Sequence, residues 1–230
     1  MITAFLPCRK GSQRIPDKNV KPFAGVKGGL LHIKLNQLAA CKAVDRILVS
    51  SNDERVLDYA SRMTDSRIVI DERPEHLGSS QTTTDELIQY VSTLIAEGDI
   101  LWTHVTSPFV TEHHYEKLIR QFYEKLEQNY DSLMTAKKIQ GFLWNENQAA
   151  NYDRAIEKWP RTQTIEPLYE IDSAVFIANA KIYRSMADRI GSKPFVAVQE
   201  SICSIDIDWP DDFEMAEMVF KFYNSKFKDR

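Results

Sequence analysis

The chain has 230 residues, 43% hydrophobic and 27% charged, with a formal net charge of −4. That length supports one substantial core, and the mild acidity excludes a global basic field for nucleic acid or an anionic membrane surface. No apolar run reaches membrane-spanning length, charges come too early for a secretory leader, and the three cysteines, Cys8, Cys41 and Cys203, lie too far apart for a metal or redox motif, so a cytoplasmic chain with reduced thiols, a single domain over residues 1–230, is expected.

Strand-like and helix-like stretches alternate along the chain. ITAFLP (2–7) is expected to be a buried strand, and GLLHIKLNQLAACK (29–42) a helix, with apolar Leu31, Leu35, Leu38 and Ala39 at helical spacing. RILVSS (46–51) is a short strand and DERVLDYASRM (53–63) a helix with Asp53 at its N-cap. RIVI (67–70) is a strand and DERPEHLGSSQ (71–81) a loop. TTTDELIQYVSTLIAEG (82–98) is a helix, with Thr82 and Asp85 spaced as a capping box and Gly98 as its stop. DILWTHV (99–105) is a strand. In TEHHYEKLIRQFYEKLEQ (111–128), Tyr115, Leu118, Ile119, Phe122 and Leu126 share one helical face, while His113 and His114 are expected at the surface. DSLMTAKK (131–138) is strand-like.

From about 139 to 168 the periodicity weakens, and Trp144 and Trp159 stand among asparagines and prolines. A connection of that length implies an excursion with a role of its own; its tryptophans suit an interface. Pattern returns in SAVFIANAKIYRSMADRIG (173–191), a strand then a helix. ICSIDID (202–208) is expected as a strand. The closing helix PDDFEMAEMVFKFYNSKF (210–227) has Pro210 in its first turn and a stripe of Phe213, Ala216, Phe220 and Tyr223. The alternation predicts a mostly parallel twisted sheet with helices on both faces.

In such sheets ligands bind beyond the carboxyl ends of the strands. There, after the first strand, lies CRKGSQRIPDKNVK, with five cations: Arg9, Lys10, Arg14, Lys18 and Lys21. Gly11 and Ser12 permit a sharp turn that exposes N–H groups. Arg9 offers a planar fork and Lys18 a point charge, both suited to a polyphosphate. Neither the Walker pattern nor the dinucleotide fingerprint is present, and on its residues alone the segment serves equally as a solvated surface loop. In SIDID, an extended chain would put Asp206 and Asp208 on one face. Two adjacent carboxylates suit Mg²⁺ with phosphate and water completing its shell; the competing reading is that one aspartate caps the last helix. Together the two segments fit phosphoryl or nucleotidyl transfer.

These segments resemble the acylneuraminate cytidylyltransferases (CMP-sialic acid synthetases) of the wider CTP-dependent sugar-activating family. LPCRKGSQRIPDKNVKPFAG is similar to the signature ARxGSKGxPxKNxxxxxG, DRILVSSND to the family's second strand, RPEHLGSSQTTT to RPxELAxDTASS, HVTSPF to QPTSPLR, and SIDIDWPDDFEMAE to SIDIDTxEDFxxAE. The resemblance runs nearly end to end. It implies a nucleotide-diphospho-sugar transferase-like fold, a homodimer, and Mg²⁺-assisted attack of the anomeric hydroxyl of a 2-keto-3-deoxy acid sugar on CTP, with release of pyrophosphate. It implies phosphate contacts and catalytic roles for Arg9 and Lys18, nucleotide contacts for Ser12 and Asn19, a place near cytosine for Arg73, a backbone contact at Thr83, and metal binding with a catalytic role for Asp206 and Asp208. On the sugar side the chain departs from the family. His104 replaces the glutamine before TSP, Phe109-Val110 replaces LR, Asp172-Ser173-Ala174 replaces NGA, and Arg161-Thr162-Gln163 replaces the RQ pair. His104, Arg161 and Gln163 are thus the sugar-side candidates, Arg161 as carboxylate partner. The alternatives are a 3-deoxy-manno-octulosonate cytidylyltransferase, whose loop reads ARxxSxRLPxKxL without the Asn19 found here, a glycosyltransferase using Asp-Ile-Asp, and a non-catalytic nucleotide-binding protein.

Overall fold

The computed structural model describes residues 1–228, with side chains to 223. In chain order its elements are β1 (Ile2–Cys8), α1 (Gly29–Ala40), β2 (Arg46–Ser51), α2 (Glu54–Ser61), β3 (Ile68–Glu72), α3 (Thr84–Leu94), β4 (Asp99–Thr103), α4 (Glu112–Leu126), β5 (Ser132–Ile139), β6 (Leu168–Asn179), α5 (Ala180–Met186), β7 (Pro194–Val198) and α6 (Pro210–Lys228), with 3₁₀ turns at Glu75–Leu77 and Thr162–Thr164. The strands form one seven-stranded sheet in the order β3-β2-β1-β4-β6-β5-β7. Its neighbours run parallel except at β6, which is antiparallel to both β4 and β5.

Helices cover both faces, so the central strands read as apolar runs rather than alternations. In β1, Ala4 and Leu6 join the cluster that includes α1, α4 and α6 residues, while Phe5 joins the opposite cluster with Ile88, Trp102, Phe176 and Tyr183. Phe5 meets Trp102 edge-on, with centroids 4.8 Å apart. Side chains of this size each contribute about 2–3 kcal/mol by leaving water.

Local chemistry sets the element ends. Asp53 caps α2 as expected, accepting from the Arg55 N–H at 3.1 Å. The capping box of α3 falls one residue later than Thr82/Asp85: Thr83 Oγ1 accepts from the Glu86 N–H, and the Glu86 carboxylate accepts from the Thr83 N–H at 2.7 Å. Glutamate has the extra methylene this reach needs. The helix ends at Leu94, and Gly98 instead makes the turn into β4 with φ 86°, where a Cβ would come within 2.6 Å of the Met1 carbonyl oxygen. On α4, Tyr115, Leu118, Ile119 and Phe122 are buried, while Leu126, on the last turn, is 39% exposed. On α6, Phe213 and Ala216 are buried and Tyr223 is exposed.

Two assignments differ from expectation. Residues 202–208 form no strand: 201–204 turn, and 205–208 run unpaired, tied by the Ile207 N–H to the Thr106 carbonyl at 3.1 Å. The strand of this region is β7, PFVAV, whose β-branched and aromatic residues take the open edge of β5 first. His114 is not a surface residue either. It is half-buried, accepts from the Thr111 N–H at 3.2 Å and places Nε2 3.3 Å from Cys203 Sγ, whereas His113 is exposed. The excursion between Ile139 and Leu168 gathers its own aromatic cluster. Phe142 lies 5.3 Å from both Tyr152 and Trp159, and the Arg154 guanidinium sits 5.3 Å from Trp144 and 5.1 Å from Trp159.

Candidate active site

A cleft of about 600 Å³ opens at the carboxyl ends of β1 and β4. Its first wall is the segment after β1. That segment is tied down at several points although most of its side chains are exposed to solvent. Ile15 at its tip is 2% exposed, Asn19 Nδ2 donates to the Arg9 carbonyl at 3.0 Å, and Asn52 accepts from the Lys10 N–H at 2.9 Å. Gly11 and Asp17 turn the chain with φ of 72° and 56°, and Asp17 is pinned by Arg55 at 2.6 Å. Arg9, Ser12, Lys18 and Asn19 all line the cleft, with Arg9 reaching the Ser79 carbonyl at 3.2 Å.

The second wall is the Asp206–Asp208 segment. Ile207 is fully buried, so the aspartates on either side of it both face the cleft although no strand forms. Lys18 Nζ donates to the Ile207 carbonyl at 2.7 Å and stands 3.4 Å from Asp208, which Arg14 approaches to 3.2 Å while stacking on Trp209 at 4.8 Å. Arg14 was not singled out as a site residue, although the run of cations contained it. Asp206 Oδ1 is buried without a hydrogen-bond partner. Burial pushes the Asp206 carboxyl up; Thr106 opposes this and the Asp208 charge adds to it. Among the described residues neither aspartate accepts a hydrogen bond from a first-turn N–H of α6; instead Asp212, within that turn, reaches back to accept the N–H groups of Asp208 and Trp209 at 3.1 and 2.8 Å.

The third wall comes from β4, β6 and the chain after α5. His104 follows β4, and its Nε2 accepts from Trp102 Nε1 at 2.9 Å. Burial, then the charges of Arg189, Lys18 and Lys34, push its pKa down to about 3. The ring is therefore neutral with its proton on Nδ1, a donor. Ser173 reaches the cleft from a left-handed residue in β6, φ 56°. Asp172 beside it holds this kink: Oδ1 accepts from Thr135 Oγ1 at 2.6 Å and the Ala174 N–H at 3.1 Å, and Oδ2 from Gln199 at 2.8 Å and Ser204 at 3.0 Å. Arg189 completes this wall.

Residues 3–226 match the family model described as Cytidylyltransferase. The chain belongs to the cytidylyltransferase family. It is 25% identical over 227 residues to a pseudaminic acid cytidylyltransferase of Campylobacter jejuni, covering 94% of this chain and 95% of that one. It is 26% identical over 214 residues to an N-acylneuraminate cytidylyltransferase of Streptococcus agalactiae, covering 91% of this chain and 51% of that longer protein. Among solved structures, a CMP:2-keto-3-deoxy-manno-octonic acid synthetase in complex with CTP superposes with a TM-score of 0.65 at 13% identity, over 95% of this chain and 98% of that one. A 4-diphosphocytidyl-2C-methyl-D-erythritol synthase of Anaerococcus prevotii gives a TM-score of 0.65 at 15% identity, over 96% of both chains. These two establish the shared fold, the nucleotide-diphospho-sugar transferase-like sheet expected from the sequence.

Within this cytidylyltransferase, other expected site residues stand apart from the cleft. Arg73 is 4% exposed and bonds Ser50 Oγ at 3.0 Å and the Ser50 carbonyl at 2.5 Å, behind the end of β2. Thr83 caps α3, and its neighbour Thr84 lines the cleft. Arg161 and Gln163 are exposed on the 3₁₀ turn of the excursion and do not line the cleft. Cys8 is buried in β1, and burial lifts its thiol to about 12, an inert filler. One structural support comes from α1, outside the charged motifs. Lys34 is fully buried and donates to the carbonyls of Ser107 and Val110 at 2.8 and 3.1 Å and to the Tyr115 hydroxyl at 2.7 Å, which pins the segment carrying His104 and Thr106. Its place four residues from both Leu30 and Leu38 put it on the apolar face of α1.

Proposed function

We propose that this cytidylyltransferase transfers CMP from CTP to the anomeric hydroxyl of a 2-keto-3-deoxy acid sugar, a sialic acid or related nonulosonate, and releases pyrophosphate. The observation that carries this reading is the facing of Arg9, Arg14 and Lys18 against Asp206 and Asp208 in one cleft. The acceptor oxygen attacks the α-phosphorus, the bond from that phosphorus to the bridging β-phosphate oxygen breaks, that oxygen leaves with pyrophosphate, and the hydroxyl proton passes to solvent water. Charge grows on the departing pyrophosphate, where Arg9 and Lys18 act as fixed donors. Ser12 and Asn19 shape the nucleotide side of the loop, with the Thr83 segment beside it, and Arg73 stiffens the floor under it.

The residues present fit Mg²⁺. Asp206 offers a buried carboxylate oxygen with no partner, and Asp208 stands two residues on. Among the described residues no three metal-ligating side chains converge, so triphosphate oxygens and water would complete an octahedral shell. Once bound, the ion would neutralise phosphate charge. The chain would act as a single cytoplasmic domain and a homodimer; the exposed Trp144, Trp159 and Ile156 of the excursion support the dimer.

The reading is tested by pyrophosphate release from CTP with N-acetylneuraminate, pseudaminic acid and 3-deoxy-manno-octulosonate as acceptors. Release with one of the first two is expected. Release with 3-deoxy-manno-octulosonate alone would select the alternative acceptor, and CTP binding without release from any acceptor would leave only a nucleotide-binding protein.

A further inference from the structure

Arg189 is a cation of the cleft that belongs to no charged motif of the sequence. Ala187, with φ 53°, ends α5 in the left-handed region and turns the chain back over the sheet. The Arg189 guanidinium then lies 3.7 Å from the Phe176 ring centroid and 5.4 Å from that of Trp102. Tyr183 stacks on Trp102, and its buried hydroxyl has no hydrogen-bond partner. Two aromatic rings, Phe176 and Trp102, thus cradle the guanidinium, with Tyr183 backing Trp102.

An arginine packed in this way could be purely structural. Its polar edge argues otherwise. Among the described residues the guanidinium makes no hydrogen bond and has no carboxylate within ion-pair distance, although it is half-buried. Asp188 turns away, accepting the Arg189 and Ile190 N–H groups at 2.6 and 3.3 Å. The unmatched edge lines the cleft. A partly desolvated cation with fixed orientation, acted on by the nearby Asp188 charge but in no direct ion pair with it, is a receptor for an anion.

The triphosphate already has Arg9, Arg14 and Lys18 on the loop after β1. Arg189 lies on the far side of β4, and its neighbours there, His104 and Ser173, are neutral donors. That pattern suits one planar carboxylate better than a polyphosphate. We propose that Arg189 holds the carboxylate of the sugar acceptor, with Ser173 and the His104 Nδ1–H beside it. This assignment rests on the transfer reading above. It moves the carboxylate contact from the exposed Arg161 to a residue inside the cleft.

The test compares each acid sugar, N-acetylneuraminate and pseudaminic acid, with its C1 methyl ester, in wild-type protein, R189Q and R189K, with melting temperature recorded for each. The wild type should favour acid over ester in kcat/KM by about a hundredfold, the usual weight of a desolvated charge pair. In R189Q the preference should shrink to a few-fold, with KM for CTP unchanged. R189K, which keeps charge but loses the fork, should fall between; where R189Q does not fold, an unchanged sugar KM in R189K overturns the assignment. So does an intact preference in R189Q, or a raised KM for CTP with the preference intact, which would make the anion the triphosphate. Equilibrium binding of each sugar beside a non-hydrolysable CTP analogue separates this from the transfer reading. Arg189-dependent binding without pyrophosphate release sinks the transfer and keeps the receptor. Release that is indifferent to Arg189 does the reverse, and neither binding nor release in the wild type sinks both.

Discussion

Lys18 Nζ lies 2.7 Å from the carbonyl of Ile207 and 3.4 Å from the carboxylate of Asp208, so one ammonium joins the cationic loop to the acidic segment. Asp208 and Arg14, each 44% exposed at the side chain, complete a loose ion-pair cluster that contributes little to stability. Its cations are already placed where phosphate would replace the carboxylate. Lys18→Ala should lower turnover about a hundredfold, near 3 kcal/mol of barrier, with little change in melting temperature. Unchanged pyrophosphate release would remove Lys18 from the chemistry.

Asp206→Asn and Asp208→Asn should each cut Mg²⁺-dependent turnover sharply. Asp208→Asn also releases Arg14 and Lys18, so CTP binding measured in chelator should hold or tighten. Because Asp212 in the first turn of α6 ties down the chain before it and neither aspartate bonds a first-turn N–H among the described residues, neither change should melt that helix. Calorimetric titration with CTP, with and without Mg²⁺, checks this; near-normal turnover in both variants would exclude a metal role for the pair.

Asp172→Asn probes the kink that presents Ser173. Four donors converge on this carboxylate, and an amide must turn its own N–H₂ toward some of them. A loss of about 2–3 kcal/mol is expected, lowering the melting temperature by about 5–10 °C. The KM for the sugar should rise more than that for CTP, because Asp172 also ties Ser204, ahead of the acidic segment, to β6. Equal effects on both substrates would show that the clamp does not favour the sugar side.

His104 gives the protein a pH dependence of known sign. Its folded pKa of about 3 lies below the unfolded value near 6.5, so the unfolded chain binds the extra proton between these limits. His104 thus leaves stability unaffected above about pH 6.5 and lowers it by up to about 1.4 kcal/mol for each further unit of acidification. His104→Gln, which can still accept from Trp102, should flatten the fall in melting temperature between pH 7 and pH 5. A slope identical to that of the parent would place the burden on other groups, such as His114, which burial also lowers.

At micromolar concentration light scattering should give the mass of two chains, and Trp159→Asp on the excursion should give one. Trp159 is 65% exposed and Ile156 86%, a cost without purpose on a lone chain. A wild-type mass of 26.6 kDa would refute the dimer.

Most of the sheet was legible because its strands are buried on both faces and its helices carry apolar stripes. RILVSS matches β2 residue for residue. The failure at ICSIDID has a physical cause: Ile205 and Ile207 alternate with polar residues as in a strand, yet Ile207 is anchored by one backbone bond and not by a ladder. PFVAV, five residues behind a lysine, carried too short a signal. In the site, the loop after β1 and the two aspartates were visible because each is a local cluster of unusual charge. Arg189 was not, since its role depends on Phe176 and Trp102 from two other strands. Arg161 was drawn in by its match to the RQ pair of the resembling family, and it lies exposed beside the 3₁₀ turn of the excursion, outside the cleft lining.

The bond from Lys18 to Ile207 spans 189 residues. A chain emerging from the ribosome can pair β1 with β2 early, but the cleft stays open on one side until Asp206 and Asp208 are made. Half-made molecules would carry the cationic loop without its acidic counterpart, able to attract nucleotide yet lacking the aspartates proposed to hold the metal. A chain cut before Asp206 should therefore keep the cationic loop after β1 and lose the two carboxylates that face it across the cleft.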